Sequence, residues 1–535
     1  MVEARQSVSP ALRSSGRGRV VVVGAGIGGL ACAIDLARSG HEVLVLESAA
    51  QPGGKLREVR IGSHLLDAGP TVFTMRWVFD ELFDDAGTTL REYLALRPLE
   101  TLARHAWCAD ERLDLFADVE RSVDAIGRFA GAAEARRFVA FSERAGAVYR
   151  TLETPFLRGS RPTPLSLAAR AGWRGLPNLW RIAPFATLWS SLGDHFHDPR
   201  LRQLFGRYAT YCGSSPFAAP ATLMLVAHVE QQGVWRVEGG MHRLALALAG
   251  LLRQLGGTIE FNRRVDEIVV RDGRAFGVEV ADDGAGRETI DAGAVVFNGD
   301  VAALASGHLG LVASGAAPPV APADRSLSAF TWSVVGRAVG FPLERHNVFF
   351  GADYRAEFDA VFGEARLPTD PTVYVCAQDR DEGRRHGDTA LERFLCLVNA
   401  PPRGDLAPLP ALEIERCRER MTRALARCGL TIEAAPNDVT TTTPSDFDRL
   451  WPGSGGALYG RASHGWAASF RRPGARSRIP GLYLAGGTVH PGPGVPMAAL
   501  SGRQAAASVI ADRTRARRSI AQSPDPAMPG GMPMP

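Results

Sequence analysis

The sequence predicts an α/β protein whose chain leaves a Rossmann-like nucleotide-binding domain and later returns to it. Two observations, one near each end of the 535 residues, carry this prediction. In residues 19–47, a β-branched strand runs into a glycine-rich turn, a helix and a second strand. Near the other end, the segments 481–487 and 490–496 form a second glycine-rich cluster.

The first turn has the features of a phosphate-binding loop. The run Val20–Val23 shows no polar alternation, as expected of a parallel strand buried on both faces. Gly24 permits a tight bend, Gly26 lets the backbone approach a pyrophosphate, and Gly29 allows the next helix to pack closely. The helix N-terminus then presents free N–H groups and a positive dipole end to the phosphates. The residues predicted to hold the nucleotide here are Gly24, Ala25, Gly26, Gly28 and Gly29.

The second strand, Glu42–Leu46, ends in an acidic residue, Glu47. It follows the glycine motif at close to the spacing of about 20 residues at which such domains place the acid that accepts hydrogen bonds from the adenosine ribose. The alternative is an ordinary exposed acid at a strand end. Because strand, helix and acid are in register, nucleotide binding is favoured over a purely structural glycine turn.

Further segments indicate FAD rather than a nicotinamide dinucleotide. Gln51–Lys55 is a second glycine turn that carries a cation, and Asp67–Thr71 follows it closely. FAD is a long, extended molecule whose flavin reaches beyond the first βαβ unit, so it needs contacts from distant parts of the chain. The C-terminal glycine cluster can supply them. The alternative for Lys55 is a solvated surface charge.

Taken together, these motifs resemble the bacterial carotenoid desaturases related to phytoene desaturase. The resemblance spans residues 19–512 and is carried by the Gly24 motif, Gly53–Lys55, Asp67–Thr71 and His490–Pro496. It implies an FAD domain similar to those of glutathione reductase and the amine oxidases, with an inserted α+β substrate domain. It also implies that the backbone of Val265 contacts the adenine. Besides Glu47, the further predicted FAD contacts are Gly54, Lys55, Gly69, Pro70, Thr71, Val72, Val265, Gly486, Gly487, Val495, Pro496 and Met497.

Within that family, Asp67–Phe83 and Pro496–Gly502 most resemble the 1-hydroxycarotenoid 3,4-desaturases. Phytoene desaturases usually carry Gly after the last Pro, where this chain has Met497, so Met497 is also a candidate for contacting substrate. The implied reaction introduces a C=C bond at the 3,4 position of an acyclic 1-hydroxycarotenoid, by hydride transfer to flavin and loss of a proton. A phytoene-type desaturase is the alternative within the family.

No catalytic triad or carboxylate pair stands out. In a conjugated polyene the cation left by hydride departure is delocalised, so a weak base or water can take the proton. His490 is the single candidate for that base, and its alternative is a structural turn residue that bonds to backbone. Oxygen or a quinone is the expected electron acceptor. Two other classes stay open: an amine oxidase, and a non-catalytic lipid or prenyl carrier, which the intact glycine motif disfavours.

The predicted domains are discontinuous. The FAD-binding domain combines residues 19–75, 233–305 and 455–512. The inserted domain, which binds substrate and associates with a membrane, combines residues 76–232 and 306–454. The remaining ends, 1–18 and 513–535, are predicted to be disordered.

The segment 165–215 bears on how a lipophilic substrate is reached. Its aromatic and apolar residues at helical spacing suit either a helix in a bilayer interface or a helix packed in the core. These residues are Phe185, Leu188, Trp189 and Leu192, with Trp173 and Trp180 upstream. Asp198 before Pro199 predicts a helix start, and the spacing of His195 and His197 is poor for a metal, so no metal is predicted. The candidates for lining a substrate cavity are Arg207, Tyr208 and Tyr211.

Composition and charge bound the remaining possibilities. With 45% hydrophobic and 22% charged residues, the chain has no apolar run approaching the roughly 18 residues of a membrane span, and its polar N-terminus is not a signal peptide. The net charge of +4 comes from arginines near the two ends, so the basic face that nucleic-acid binding requires is not expected. Seven cysteines without metal-ligand spacing fit reduced thiols. We expect a cytoplasmic protein peripherally associated with the inner membrane.

Overall fold

The computed structural model describes residues 18–170, 172, 185–281, 286–380, 391–406 and 408–521. Trp173 and Trp180 lie outside these residues. The strands are β1 (Arg19–Val23), β2 (Glu42–Leu46), β3 (Glu58–Ile61), β4 (His64–Asp67), β5 (Leu96–Pro98), β6 (Thr101–Ala106), β7 (Arg112–Phe116), β8 (Trp235–Val237), β9 (Thr258–Glu260), β10 (Val265–Arg271), β11 (Arg274–Ala281), β12 (Arg287–Asp291), β13 (Ala294–Phe297), β14 (Ser328–Val339), β15 (His346–Phe349), β16 (Val373–Ala377), β17 (Glu392–Ala400), β18 (Thr431–Glu433), β19 (Val439–Thr442) and β20 (Leu482–Leu484).

The α-helices whose two ends are described alternate with these strands. They are α1 (Ile27–Arg38), α2 (Trp77–Asp85), α3 (Leu90–Tyr93), α4 (Val119–Ala130), α5 (Ala132–Leu152), α6 (Leu188–His195), α7 (Pro199–Gly206), α8 (Leu225–Gln231), α9 (His242–Gln254), α10 (Val301–Ala305), α11 (Tyr354–Phe358), α12 (Ala411–Arg427), α13 (Pro444–Leu450), α14 (Ala468–Arg471) and α15 (Val495–Ala521). Helix α7 begins as its sequence predicts, because the Asp198 carboxylate accepts a hydrogen bond from Arg200 N at 2.8 Å.

A five-stranded parallel sheet, ordered β20-β13-β1-β2-β9, forms the nucleotide-binding part of the molecule. All five strands come from the three segments 19–75, 233–305 and 455–512. The valines Val20–Val23 are buried in the centre of this sheet, which explains their uninterrupted apolar pattern. Helix α1 packs between α9 and α15 on one face. The sheet therefore draws together strands from both ends of the sequence.

The second sheet has eight strands and is mostly antiparallel. Its order is β18-β14-β17-β16-β15-β6-β7, and β19 also pairs with β14. These strands lie in residues 101–116 and 328–442. Together with helices α4 to α8 these strands form an α+β region. The sheet and helix α12 share a core centred on Phe330, Trp332 and Phe349, whereas helices α4 to α8 pack in the core cluster that also contains helix α1. The predicted fold, a Rossmann-like domain with an inserted α+β region, is confirmed.

The C-terminal boundary at 512 is wrong. Helix α15 continues to Ala521, and the Arg513 guanidinium donates hydrogen bonds to Gly18 O at 2.8 Å and Arg19 O at 2.9 Å. Residues 513–521 are rich in alanine and arginine, which are strong helix formers, so an amphipathic core face is not needed to extend the helix. Residues 1–17 and 522–535 lie outside the described part of the chain.

Helix α6 packs in the core rather than in a membrane interface. Leu188 and Leu192 are fully buried, and the Trp189 ring packs against Phe217 with ring centroids 4.6 Å apart. Of the four residues Phe185, Leu188, Trp189 and Leu192, only Phe185, which lies just before the helix, is largely exposed. No helix of the described ranges is long and apolar enough to cross a bilayer.

Replacing Gly502 with alanine should destabilise the fold. Helices α1 and α15 meet so closely at this residue that an added Cβ would lie 2.0 Å from Gly28 O, a backbone atom that cannot swing away. We expect a loss of about 1–3 kcal/mol, measured by chemical denaturation. Gly250→Ala in α9 is the matched control, because no atom lies within 4 Å of its added Cβ and alanine favours a helix interior by roughly 0.5–1 kcal/mol. Equal stabilities for the two variants would contradict the close contact.

Candidate functional site

A cavity of about 1030 Å³ lies between the two sheets. The nucleotide-binding part contributes residues from 23–28, 46–48, 53–56 and 486–498 to its wall. The inserted region contributes residues from helix α8 and from the four central strands of the eight-stranded sheet. The cavity is therefore a single space shared by the predicted cofactor and substrate regions.

The two glycine-rich ends of the chain meet in this wall. Helix α1 begins directly after Gly26, and a Cβ on Gly28 would lie 2.9 Å from both Gly486 Cα and Ala498 O. A Cβ on Gly29 would lie 2.1 Å from Gly24 O, so only glycine lets the helix pack against its own turn. The bare backbone left by these glycines fits the close approach that a pyrophosphate requires.

Glu47 is buried and holds the glycine turn in place. Its Oε2 accepts a hydrogen bond from Ala25 N at 2.7 Å, and its Oε1 accepts one from Ala49 N at 2.9 Å. The interpretation of Glu47 as an ordinary exposed acid is therefore wrong. Since Glu47 also lines the cavity, its carboxylate is placed where a ribose could reach it, and that contact stays a prediction.

Lys55 is not a solvated surface charge. Its Nζ donates to Leu458 O at 2.6 Å, lies 4.0 Å from Asp300 Oδ2 and sits 5.0 Å from the centre of the Trp451 ring. Burial lowers the pKa of Lys55, and the Asp300 carboxylate opposes this shift. The result is a lysine held against the cavity wall, where its ammonium suits a polar part of the cofactor.

The segment Asp67–Thr71 packs directly on the turn that carries Lys55, because a Cβ on Gly69 would lie 1.9 Å from Lys55 O. The Asp67 carboxylate points away from the cavity and accepts a hydrogen bond from Met241 N at 2.8 Å, just before helix α9. Burial raises the pKa of Asp67, while this hydrogen bond opposes the rise. The sequence analysis did not predict that Asp67 caps helix α9. The signal for this role was an acidic residue that follows the apolar pair Leu65 and Leu66.

Most of the predicted cofactor contacts line the cavity. They are Gly24, Gly26, Gly28, Glu47, Gly54, Lys55, Gly69, Pro70, Thr71, Val72, Val265, Gly486, Gly487, Val495, Pro496 and Met497. Ala25, in the turn, and Gly29, near the start of α1, lie behind the wall. The structure thus brings these segments together, and the individual contacts to a cofactor remain predictions.

His490 does not line the cavity, so its interpretation as a proton acceptor is wrong. It is 1% exposed, and its Nε2 lies 2.9 Å from Phe156 O and 3.0 Å from Gly159 O, to which it donates. Burial lowers the pKa of His490 to about 4. The ring ties the closing glycine segment to the turn after α5, which is the structural alternative considered from the sequence.

Two of the three candidate substrate residues reach the cavity. Arg207 and Tyr211 line it, whereas Tyr208 is buried behind the wall and donates its hydroxyl hydrogen to Glu230. The Tyr208 candidacy is therefore wrong, because its side chain turns inward from the short helix that carries all three. Glu230, at the end of the apolar helix α8, also lines the cavity and was missed. A carboxylate at the end of an apolar run was the available signal.

A hydrogen-bonded chain leads from the cavity to a buried imidazole. Thr71 Oγ1 and Tyr374 Oη lie 2.7 Å apart, and Tyr374 Oη lies 2.7 Å from His346 Nδ1. Burial, followed by the positive charges of Arg345 and Arg207, lowers the pKa of His346 to about 3. His346 is therefore a neutral imidazole at physiological pH, and its lowered pKa makes it a weak base.

Much of the remaining wall of the cavity is apolar. Its aliphatic and aromatic lining includes Phe156, Leu157, Leu167, Leu223, Leu225, Val226, Leu395 and Leu397. Trp466 belongs to this lining yet is 50% exposed, and its ring contacts Phe185, which is 65% exposed, with centroids 5.6 Å apart. An aromatic pair thus marks the place where the cavity meets solvent.

Other kinds of site are not supported by the described residues. They contain no group of three histidine, cysteine or acidic side chains arranged to hold a metal ion. All seven cysteines are free thiols.

Comparison with known proteins identifies the family. Residues 27–510 match the model of the flavin containing amine oxidoreductases. The chain is 55% identical over 507 residues to a hydroxyneurosporene desaturase of Rubrivivax gelatinosus, covering 94% of this chain and 95% of that protein. It is 46% identical over 495 residues to a hydroxyneurosporene desaturase of Cereibacter sphaeroides, covering 92% and 98%.

A solved structure shares the fold at low sequence identity. An oxidoreductase from Methanosarcina mazei superposes with a TM-score of 0.57 at 15% identity, over 92% of this chain and 100% of that one. The dinucleotide cradle and the flavin chemistry of the family together confirm the predicted cofactor. The chain belongs to the flavin containing amine oxidoreductase family and, within it, to the bacterial carotenoid desaturases, with FAD as its cofactor.

Proposed function

We propose that this protein introduces a C=C bond at the 3,4 position of an acyclic 1-hydroxycarotenoid. One observation carries the proposal: a single cavity is lined by the glycine cradle and by a long apolar wall, so a hydrocarbon chain can lie against the cofactor. The hydroxyneurosporene desaturases to which the chain is similar support a hydroxylated acyclic substrate. These relatives also favour an enzyme over a carrier, and a carotenoid over an amine.

Forming the double bond removes a hydride from one carbon and a proton from its neighbour. Bound FAD supplies the hydride acceptor. The apolar residues of α8 and of strand β17 exclude water and orient the polyene, whose delocalised cation makes the neighbouring proton acidic. A weak base then suffices, and neutral His346, reached through the Tyr374 hydroxyl, is such a base. Replacement of Tyr374 by phenylalanine tests this role in the assay described below.

The lipophilic substrate points to a membrane surface. We infer that an apolar rim, formed by Leu165, Phe185 and Trp466, rests on the inner membrane at the mouth of the cavity. All three side chains are exposed, and Trp466 also lines the cavity, so a lipid-dissolved substrate could pass between them. Arg161 and Arg170 are exposed close by and suit anionic headgroups. A quinone in the same bilayer, or oxygen, would then reoxidise the cofactor.

Met497 stays a candidate for substrate selectivity. It lies at the start of α15, is partly buried and lines the cavity next to the closing glycine segment. A flexible thioether can fill a gap beside a polyene. Its replacement by glycine, the residue expected in phytoene-type enzymes, would widen that part of the cavity.

Glu47→Ala should weaken FAD binding. The variant removes a buried carboxylate that orders the glycine turn, and losing a hydrogen bond to a charged group costs roughly 1.5–3 kcal/mol. This corresponds to an increase in the dissociation constant for FAD of about 10- to 150-fold, measurable by flavin fluorescence during titration of the apoprotein. Glu42→Ala, on the exposed end of the same strand, is the control and should leave the affinity unchanged. Equal affinities of wild type and Glu47→Ala would remove Glu47 from the cofactor site.

Co-expression with defined carotenoid pools tests the reaction. With an acyclic 1-hydroxycarotenoid, we expect a product that has lost two hydrogens and absorbs at longer wavelength, identified by chromatography and mass spectrometry. With phytoene alone, we expect no product, and desaturated phytoene would select the phytoene-type alternative.

In the same assay, Tyr374→Phe should retain its flavin and lose most of its rate, since the path to His346 is broken. A full rate in that variant would contradict the proton path.

Replacing Phe185 and Trp466 by serine should reduce binding to vesicles that contain anionic lipid. Each buried aromatic side chain contributes about 1.5–3 kcal/mol, so the double variant should bind at least about tenfold more weakly in a sedimentation assay. Leu311→Ser is the control, because Leu311 is 86% exposed but does not line the cavity. If the control lowers binding and the double variant does not, the membrane surface lies elsewhere.

A further inference from the structure

A cluster of buried polar side chains interrupts the apolar wall of the cavity. It consists of Arg207, Tyr211 and Glu230, all of which line the cavity, and it is called the Arg207 cluster below. Arg207 Nη1 donates to Tyr211 Oη at 2.9 Å, and Tyr211 Oη donates to Glu230 Oε1 at 2.8 Å. Arg207 Nη2 lies 3.7 Å from the same Glu230 oxygen. The cluster is thus a compact ion pair bridged by a phenol.

The Arg207 guanidinium has more donors than the protein satisfies. Within the described ranges, its Nε and Nη2 have no hydrogen-bond acceptor, although Arg207 is only 6% exposed. A carboxylate accepts more hydrogen bonds than Glu230 receives from its two tyrosines, so it too keeps capacity for a partner. Leaving buried charged donors without acceptors is unfavourable, and a pure hydrocarbon ligand offers none.

The cluster lies near the region where the reacting carbons must sit. Arg207 is close enough to His346 for its charge to contribute to the lowered pKa of that imidazole, after burial and Arg345. His346 contacts Tyr374, and Tyr374 contacts Thr71 in the segment predicted to touch the cofactor. In a 1-hydroxycarotenoid the hydroxyl-bearing carbon is two bonds from C3. Any group that binds this hydroxyl must therefore lie close to the carbons being oxidised.

We propose that the Arg207 cluster binds the terminal tertiary hydroxyl of the substrate and thereby sets which bond is oxidised. The inference rests on the proposed function, because it assigns a subsite within the same cavity. An N–H of Arg207 donates to the hydroxyl oxygen, and the hydroxyl hydrogen is donated to the Glu230 carboxylate. An end group without oxygen leaves Arg207 Nε and Nη2 without an acceptor, whereas a methyl ether can accept from Arg207 and cannot donate to Glu230.

The test compares three substrates of equal conjugation that end in a hydroxyl, a methyl ether or an isoprenoid methyl group. For the FAD-loaded wild type, we expect kcat/KM on the hydroxylated substrate to exceed that on the unsubstituted one by about 100-fold or more, with the ether between them. Arg207→Met and Tyr211→Phe should each reduce this preference by at least about tenfold, mainly through the hydroxylated substrate. Tyr483→Phe is the matched control, since its hydroxyl bonds Asp512 outside the cavity.

Flavin content and thermal unfolding are measured for each variant. Should Arg207→Met fail to fold, Tyr211→Phe decides the question, because it removes one hydroxyl and no charge. An unchanged preference in a folded Tyr211→Phe or Arg207→Met variant, or a wild type with no preference, would overturn the hydroxyl subsite and leave desaturation intact. A flavin-loaded wild type that desaturates none of the three substrates would overturn the proposed function itself.

Discussion

The contact between the two glycine-rich ends of the chain is the constraint on which the remaining architecture depends. Gly486 and Ala498 lie so close to Gly28 that they leave no room for a side chain on Gly28. Gly502 also packs against the backbone of Gly28. Because these ends must touch, the inserted region is an excursion in two parts, from β2 to β9 and from β13 to β20, that starts and finishes at the nucleotide-binding sheet. The eight-stranded sheet is built on that excursion and faces the cradle across the cavity. One close approach of backbone to backbone thus determines where the substrate region can lie.

The two sides of the cavity recognise their ligands by different means. The cofactor side is formed largely by glycines and by backbone, so it depends on few side chains, among them Glu47 and Lys55. The opposite side is formed by side chains projecting from strands and helices, and these can change without moving the backbone. This division is consistent with a fold shared with the Methanosarcina mazei oxidoreductase at 15% identity. In the subsite that we propose, Arg207 and Glu230 set the substrate preference, whereas the cradle stays constant.

Sequence reasoning succeeded where the determinants are local. The strand Val20–Val23, the turn after it and Glu47 follow one another in the chain, so periodicity and spacing were enough to place them. It failed where the partner of a side chain comes from far away in the chain. The direction of the His490 ring is set by the carbonyls of Phe156 and Gly159, which no pattern around His490 could reveal. The inward turn of Tyr208 depends in the same way on Glu230.

The strand order of the parallel sheet has a consequence for how the protein is made. Strand β1 lies between β2, which follows it at once, and β13, which is synthesised more than half a chain length later. Strand β20, the outer neighbour of β13, and helix α15 are synthesised later still. During translation, one edge of β1 therefore waits unpaired, with its valines and backbone groups unprotected. Because residues 486–498 form part of the cavity wall, FAD can be fully enclosed only after this segment has docked on the cradle, so enclosure of the cofactor is a late step of folding.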